Sequence, residues 1–177
     1  MTTKSLLRAT MVAAVTLMPA FAAAQDTSSG TLTVTATVES SIGLTFENDA
    51  AGVSMSGAGT NAATMALGTI SAYNTISTPG VTRTLGASSF TVSSPFGVKV
   101  VRANSASANY TLSAALASAD STNTWTINST ALTTTSQTLG SSYGYGSAIA
   151  HTMHLTVPFS ASTGAISKVL NFTAVAN

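Results

Sequence analysis

Nine residues near the amino terminus, Thr31 to Glu39, alternate strictly between polar and apolar side chains. Alternation by two, in a segment rich in β-branched residues, is the pattern of a β-strand with one apolar face. This is the clearest element of the sequence. The apolar row consists of Leu32, Val34, Ala36 and Val38.

The same period of two recurs along most of the remaining chain. It continues directly in Ile42, Leu44 and Phe46, and turn residues separate the later segments. Eight or nine short strands without a helical period predict an all-β fold, an antiparallel β-sandwich. The Ala-rich stretch 112–119 also allows a helical turn. The further predicted strands are 64–70, 81–85, 90–93, 96–101, 110–116, 125–127, 149–159 and 166–176.

Composition narrows the function. The 177 residues suffice for one domain, and Thr (31) and Ser (26) make about a third of them. Only six Lys or Arg and five Asp or Glu residues are present. No basic run exists to displace counterions from phosphates, so no nucleic-acid partner is predicted. Without cysteine, no disulfide framework, thiolate nucleophile or Cys-ligated metal can be proposed.

Residues 1–24 have the layout of a secretory signal peptide. Lys4 and Arg8 precede a short apolar stretch, and small residues follow up to Ala24. The stretch is too short to cross a bilayer comfortably, and no other segment approaches about 20 apolar residues, so no membrane span is predicted. The sequence therefore predicts a secreted protein. After cleavage, four cations and five anions would remain, a charge of 4 − 5 = −1.

Two short motifs imitate catalytic or cofactor sites. Gly140 to Gly144 matches the G-x-S-x-G elbow of hydrolases, but that chemistry needs an acid and then a His after Ser142, and no Asp or Glu follows Asp120. Gly57 to Ala62 imitates a dinucleotide fingerprint without its βαβ unit or its distant acid. A hairpin loop and a surface loop explain them, so neither an enzyme nor a cofactor is predicted.

Two further groups match metal ligands in residue type only. His151 and His154 lie three apart, and in a strand such residues point to opposite faces, so they do not readily share one ion. The segment Glu47–Asp49 is able to hold calcium weakly, but a turn uses the same residues and a tight site needs six or more oxygens. No metal site is predicted.

The alternating segment Thr31–Glu39, followed by Ile42 and Leu44, is similar to the amino terminus of chaperone–usher pilus subunits of the alpha class, the colonisation-factor type. Those subunits also lack cysteine. At the other end, Gly164 followed by an alternating last strand resembles the ending of such subunits, although Ala176 stands where many pilins carry an aromatic residue. The resemblance covers about 30 residues in all.

This resemblance implies an immunoglobulin-like sandwich, residues 41–177, that lacks its last strand. Residues 25–40 would be an extension that gives Leu32, Val34, Ala36 and Val38 to the groove of the next copy. It also implies a periplasmic chaperone that pairs before assembly with the edge near Leu170, Phe172 and Ala174, and an outer-membrane usher. The product would be a fimbria on the extracellular surface, with a role in adhesion or as a coat.

Other interpretations remain open from the sequence alone. Residues 31–39 are also compatible with the ordinary first strand of a complete sandwich. A monomeric secreted module is a second function class, whose loops at 50–62 and 140–147 would contact carbohydrate or a host surface through Tyr143, Tyr145 and Trp125. A spore-coat-like secreted protein would show similar ends.

Overall fold

The structure, a computed structural model, describes residues 28–177. The chain divides into two units, residues 1–36 and 37–177, and of the first only residues 28–36 are described. The predicted signal peptide, residues 1–24, lies outside the described residues. Residues 28–40 belong to no strand and their side chains are exposed.

All regular structure in the described part is β. Because the polar and apolar residues alternate, each strand turns one row of side chains inward and one outward. The nine strands are β1 (Ser41–Glu47), β2 (Thr82–Leu85), β3 (Ser89–Ala103), β4 (Tyr110–Leu116), β5 (Thr124–Ile127), β6 (Thr130–Ala131), β7 (Gln137–Tyr143), β8 (Ala148–Pro158) and β9 (Leu170–Ala176).

The strands form two antiparallel sheets. The larger sheet has the order β1-β3-β8-β5-β6, and β2 also pairs with β3. The smaller sheet has the order β7-β4-β9. Inward side chains of both sheets form one core, for example Val98 and Leu155 from the larger sheet and Leu112 from the smaller. The predicted antiparallel β-sandwich is confirmed.

Strand β3 is longer than predicted because it runs straight through Ser94 and Pro95. The odd-numbered residues of β3 direct their backbone groups toward β1 and β2, as the bond from the Gly86 N–H to the Ser89 carbonyl shows (2.8 Å). Pro95 lies in the gap between these two partners, whose pairing covers positions 90–93 and 97–103 of β3. The missing N–H of proline therefore costs the ladder nothing at this position.

Several local predictions differ from the structure, and the predicted last strand, 166–176, begins only at Leu170. Residues 31–39 are not an ordinary first strand, since they pair with no strand of the described part. Residues 64–70 form only an isolated bridge at Thr64 to Ser56. Residues 112–116 belong to a strand, not to a helical turn, because their alternate residues face the core.

His151 is the one histidine or charged side chain that the core of the described part encloses almost completely, at 1 % exposure. Its Nδ1 lies 3.2 Å from Asn128 Nδ2, and its Nε2 has no partner among residues 28–177. The rings of Phe96 and Tyr143 lie about 6 Å away. Burial lowers the pKa of His151 because a protonated imidazole would lose its hydration there.

We expect stability to fall as the pH drops below 6.5, the ordinary pKa of histidine. Below this pH the histidine is protonated in the unfolded chain, whereas His151 stays neutral in the folded protein. The free energy of unfolding therefore keeps its full value above pH 6.5 and falls below it, by at most about 1.4 kcal/mol per pH unit. Urea unfolding at about pH 7 and about pH 5 measures it.

His151→Leu should flatten this dependence, and His154→Asn is the matched control. His154 is half-buried and its Nδ1 contacts Ser93 Oγ at 2.7 Å. An equally steep fall in His151→Leu would contradict the assignment.

Candidate functional site

The two sheets leave two edge strands side by side. Strand β1 pairs only with β3, and β9 pairs only with β4. The ring centroids of Phe46 in β1 and Phe172 in β9 are 5.1 Å apart, with the rings at 80°. The edges of the two sheets therefore meet at this aromatic pair, and no strand of the described part lies between them.

The free edge of β9 can be assigned residue by residue. The Asn177 N–H donates to the Asn109 carbonyl (3.1 Å), and the Ala117 N–H donates to the Val169 carbonyl (2.9 Å). Odd-numbered residues of β9 thus direct their backbone groups toward β4. The even-numbered residues direct theirs to the open side, where they have no partner in the described part of the chain. These are Leu170, Phe172, Ala174 and Ala176.

The edge of β1 is partly covered. The Phe46 N–H donates to the Thr60 carbonyl (2.8 Å), and the Phe46 carbonyl accepts from the Gly59 N–H (2.7 Å). Phe46 therefore points its backbone away from β3, and so do Ile42 and Leu44, which have the same parity. The loop at 59–60 occupies one end of this edge, and the other end stays open.

The residues that point backbone groups to the open side also point apolar side chains inward. Residues with one parity in a strand share a face. Ile42, Leu44 and Phe46 on one edge are half-buried against the core, and so are Leu170, Phe172 and Ala174 on the other. Each edge thus offers unpaired amides and apolar contacts at the same positions.

Two cavities follow the gap between the edges. The larger measures about 780 Å³ and the smaller about 550 Å³, and Phe172 lines both. We call the two cavities and the gap between β1 and β9 the cleft. Its floor is formed by core side chains, and the loop segments 63–70 and 164–169 border the larger cavity. The floor residues are Met55, Phe96, Trp125, Met153 and Leu155.

Trp125 is held in this floor by a polar turn. Its indole N–H donates to Asp120 Oδ2 at 2.8 Å, and Asp120 Oδ1 accepts from the Asn123 N–H at 2.9 Å. Burial raises the pKa of Asp120, but the hydrogen bonds from Asn123, Trp125 and Thr122 outweigh it and hold that pKa well below its ordinary value. The acid orients the tryptophan and presents no free carboxylate to the cleft.

The structure places the predicted edge residues Leu170, Phe172 and Ala174 on the wall of the cleft. The alternating segment lies outside any strand, and its apolar side chains face solvent. Leu32 is 88 %, Val34 79 % and Val38 73 % exposed, and Ala36 is also exposed. An apolar row that alternates with threonines thus lies uncovered.

The two segments that match a hydrolase motif and a dinucleotide-binding motif, 140–144 and 57–62, have local structural roles. Ser142 is exposed at the end of β7, with φ of 64°, and neither histidine is placed as its partner, since His151 is buried and His154 contacts Ser93. The loop 57–62 covers the edge of β1.

The residues considered as metal ligands, the segment 47–49 and the two histidines of β8, also have structural contacts. Asn48 Oδ1 accepts from the Met55 N–H (2.8 Å) and Asp49 Oδ1 from the Ala51 N–H (2.9 Å), so these side chains shape a turn. Within residues 28–177, no three His, Asp or Glu side chains are grouped as metal ligands. The histidines lie on opposite faces of β8, as their spacing predicts.

The aromatic residues suggested for carbohydrate contact are engaged in packing. Trp125 is buried, and Tyr143 and Tyr145 are half-buried against the core. The Tyr145 hydroxyl donates to the Asn109 carbonyl at 3.0 Å. The resemblance to pilus subunits implied a groove, but the residues of its floor were not predicted, because they come from β3, β5 and β8 and no sequence motif connects them.

Comparison with family models, with curated proteins and with solved structures finds no match to this chain. The described part contains no helix with the length and apolarity needed to cross a bilayer.

The assignment of the β9 edge predicts an alternating pattern of amide hydrogen exchange. In the isolated protein, the amides of Asn171, Thr173 and Val175 should exchange about ten times more slowly, or slower still, than those of Leu170, Phe172 and Ala174, because only the former are bonded to β4. Residue-resolved exchange by NMR measures this. Uniform protection along β9 would show that the edge is already paired.

Proposed function

We propose that this protein is a structural subunit of an extracellular fimbria, in which each copy inserts its residues 31–38 as a strand into the cleft of another copy. The observation that carries the proposal is the cleft, where two sheet edges offer unpaired backbone groups beside apolar side chains. An extended segment with alternate apolar residues satisfies both requirements at once. The exposed row from Leu32 to Val38 is such a segment.

The lengths of the two partners agree. Residues 32–38 and β9, Leu170–Ala176, both have seven residues, and antiparallel ladders are slightly more stable than parallel ones. Full antiparallel pairing sets Val38 opposite Leu170 and Ala36 opposite Phe172. The smallest apolar residue of the segment then lies where the Phe46–Phe172 pair narrows the cleft.

The energies are large enough for a lasting contact. Burying Leu32, Val34 and Val38 contributes roughly 1.5–3 kcal/mol each, with Ala36 less, a gross gain of about 5–10 kcal/mol before ordering costs. Each backbone hydrogen bond to β9 adds roughly 0.5–1.5 kcal/mol. These groups are exposed or unpaired in the single copy, so insertion removes both costs together.

Residues 31–38 do not pair well with β1 of their own chain as a hairpin. A two-residue turn at Glu39–Ser40 would set Thr37 opposite Ile42, and opposed residues share a face, so the threonines would enter the core. A three-residue turn at Glu39–Ser41 corrects the faces, but such turns use Gly or Asn at a left-handed position. Neither residue type is present there.

Insertion antiparallel to the chain's own β9 is too long a reach. Phe46 and Phe172 mark one level of the sandwich. Leu170 lies two residues beyond it in one direction and Ser41 five residues in the other, a separation of about 23 Å along the strands. Three peptide units from Val38 to Ser41 span at most about 11 Å. Insertion antiparallel to β9 therefore requires a strand from a second copy.

Such a contact joins different surfaces of the two copies, so it can repeat from copy to copy, and it builds an open fibre when the rotation between neighbours does not close a ring. Export through the predicted signal peptide, and a periplasmic chaperone and an outer-membrane usher, follow from the resemblance to pilus subunits. In that scheme, before assembly, the chaperone covers the cleft of the immunoglobulin-like body along Leu170, Phe172 and Ala174.

Opposite faces of the inserted strand provide a matched pair of variants. Val34→Asp should abolish fibres and the ladder of multiples on an unboiled denaturing gel, because it places a charge in the apolar cleft. Thr35→Asp, one residue away on the outer face, should leave both intact. Deleting residues 25–39 should also abolish fibres in electron micrographs. Fibres from Val34→Asp or from the deletion would overturn the proposal.

The register makes a second prediction at Ala36. Ala36→Phe should slow assembly and lower the dissociation temperature of the polymer, since the larger ring meets Phe46 and Phe172 where the cleft is narrow. Thr35→Phe is the control of equal size on the outer face. Thermal dissociation followed on gels compares the two. Equal dissociation temperatures would place another residue at the aromatic pair.

A further inference from the structure

Three exposed apolar side chains gather around Phe90 at one end of the larger sheet. Tyr73 is 74 %, Leu85 50 % and Phe159 40 % exposed. Leu85 is paired with Phe90 across β2 and β3, and the Phe159 ring stacks on Phe90 with centroids 6.5 Å apart. Tyr73 extends this stack outward, 5.9 Å from Phe159. We call Tyr73, Leu85 and Phe159 the end patch.

The turn that presents Tyr73 is held in place by a charged side chain. Arg83 Nη1 donates to the carbonyls of Ser71 (2.8 Å) and Asn74 (2.6 Å). Ser71 Oγ accepts from the N–H groups of Tyr73 and Asn74 at 3.3 and 3.2 Å. The most exposed aromatic side chain of the described part is thus on an ordered turn, and a clustered apolar surface of this kind marks a contact site.

The end patch lies beyond the end of the cleft where an inserted strand would leave it. Phe96 and Phe172 are in contact and mark one level. Strands β3 and β9 run in the same direction, because Arg102 near the end of β3 and Tyr110, which pairs with Ala176 at the end of β9, both lie beside Tyr145. Phe90 precedes Phe96 by six residues, and Leu170 precedes Phe172 by two. Phe90 is therefore about 13 Å beyond Leu170. The loops that border this end of the cleft lead directly to Tyr73 and from Phe159.

We infer that the end patch is the contact surface for the body of the copy whose strand fills the cleft. This inference rests on the proposed function. With Val38 of that copy opposite Leu170, its first strand begins three residues later at Ser41, at most about 11 Å further on. Its body then starts at the level of Phe90, beside the end patch.

Apart from Glu39 in the connecting segment and Arg102, the part of the second copy that would face the end patch has uncharged side chains. Its β1 begins beside Ala103, and the following loop to Asn109 consists of Asn, Ser and Ala. Arg102 precedes this loop, and its guanidinium lies 5.0 Å from the Tyr145 ring centroid of its own chain. Small uncharged side chains pack against an aromatic patch without desolvating an ion.

The cysteine-free sequence makes this contact testable by crosslinking. Fibres of the full chain carrying Tyr73→Cys and Ala106→Cys should form covalent ladders with a short bismaleimide, since the two sites would lie on neighbouring copies. Thr138→Cys with Ala106→Cys is the control, because Thr138 is exposed in β7, away from the end patch. We expect no ladder from the control pair on a boiled gel.

The outcomes separate this inference from the proposed function. A ladder from Tyr73→Cys with Ala106→Cys that disappears when Val34→Asp is added supports the contact. No ladder in intact fibres overturns the end-patch contact and leaves strand insertion standing. An equal ladder in the Val34→Asp background overturns the link between this contact and the inserted strand. Fibres that persist in Val34→Asp alone would instead refute the proposed function.

A second variant keeps the test independent of the crosslinker. Tyr73→Ser with Phe159→Ser should still give polymer but release subunits several times faster on dilution, with the control Thr138→Ser unchanged. Unaltered release would contradict a stabilising contact at the end patch.

Discussion

An unpaired backbone edge beside an apolar floor is the constraint on which the structure depends. Buried amides without partners cost free energy, and exposed apolar side chains do so as well. At β9 both costs fall on Leu170, Phe172 and Ala174, because strand geometry gives residues of one parity the same hydrogen-bonding side and the same face. A loop could pair the backbone groups alone, and a small ligand could cover the apolar side chains alone. An added strand satisfies both at once, so the two requirements together favour a strand.

The rest of the body is built with few charges and no covalent bridges. The core is formed by inward residues of both sheets. Asp120, one of the few acids of the chain, accepts the hydrogen bond that fixes Trp125. Threonine supplies the outward rows, where it favours extended backbone and remains soluble without charge. Such surfaces approach one another closely with little repulsion, which suits the proposed packing of copies along a fibre.

Much of the fold follows from the sequence, and the site only in part. Period-two alternation predicted β4, most of β8 and the edge residues of β9, because those strands have one solvent face. Strand β7 was not predicted, since its Gly and Ser residues carry no apolar row. Residues 64–70 alternate, yet they border the cleft as a loop. The pairing of Phe46 with Phe172 depends on which edges stay open, a property of the whole sheet order.

The two edges of the cleft are unequal, and this has a mechanical consequence for the proposed fibre. The loop at Gly59 and Thr60 already occupies part of β1, so an inserted strand would rely chiefly on β9 for its ladder. The inserted strand and β9 would both run along the axis of the fibre. Tension on the filament would then load the rungs together in shear, and a joint loaded in this way resists rupture better than one peeled open rung by rung.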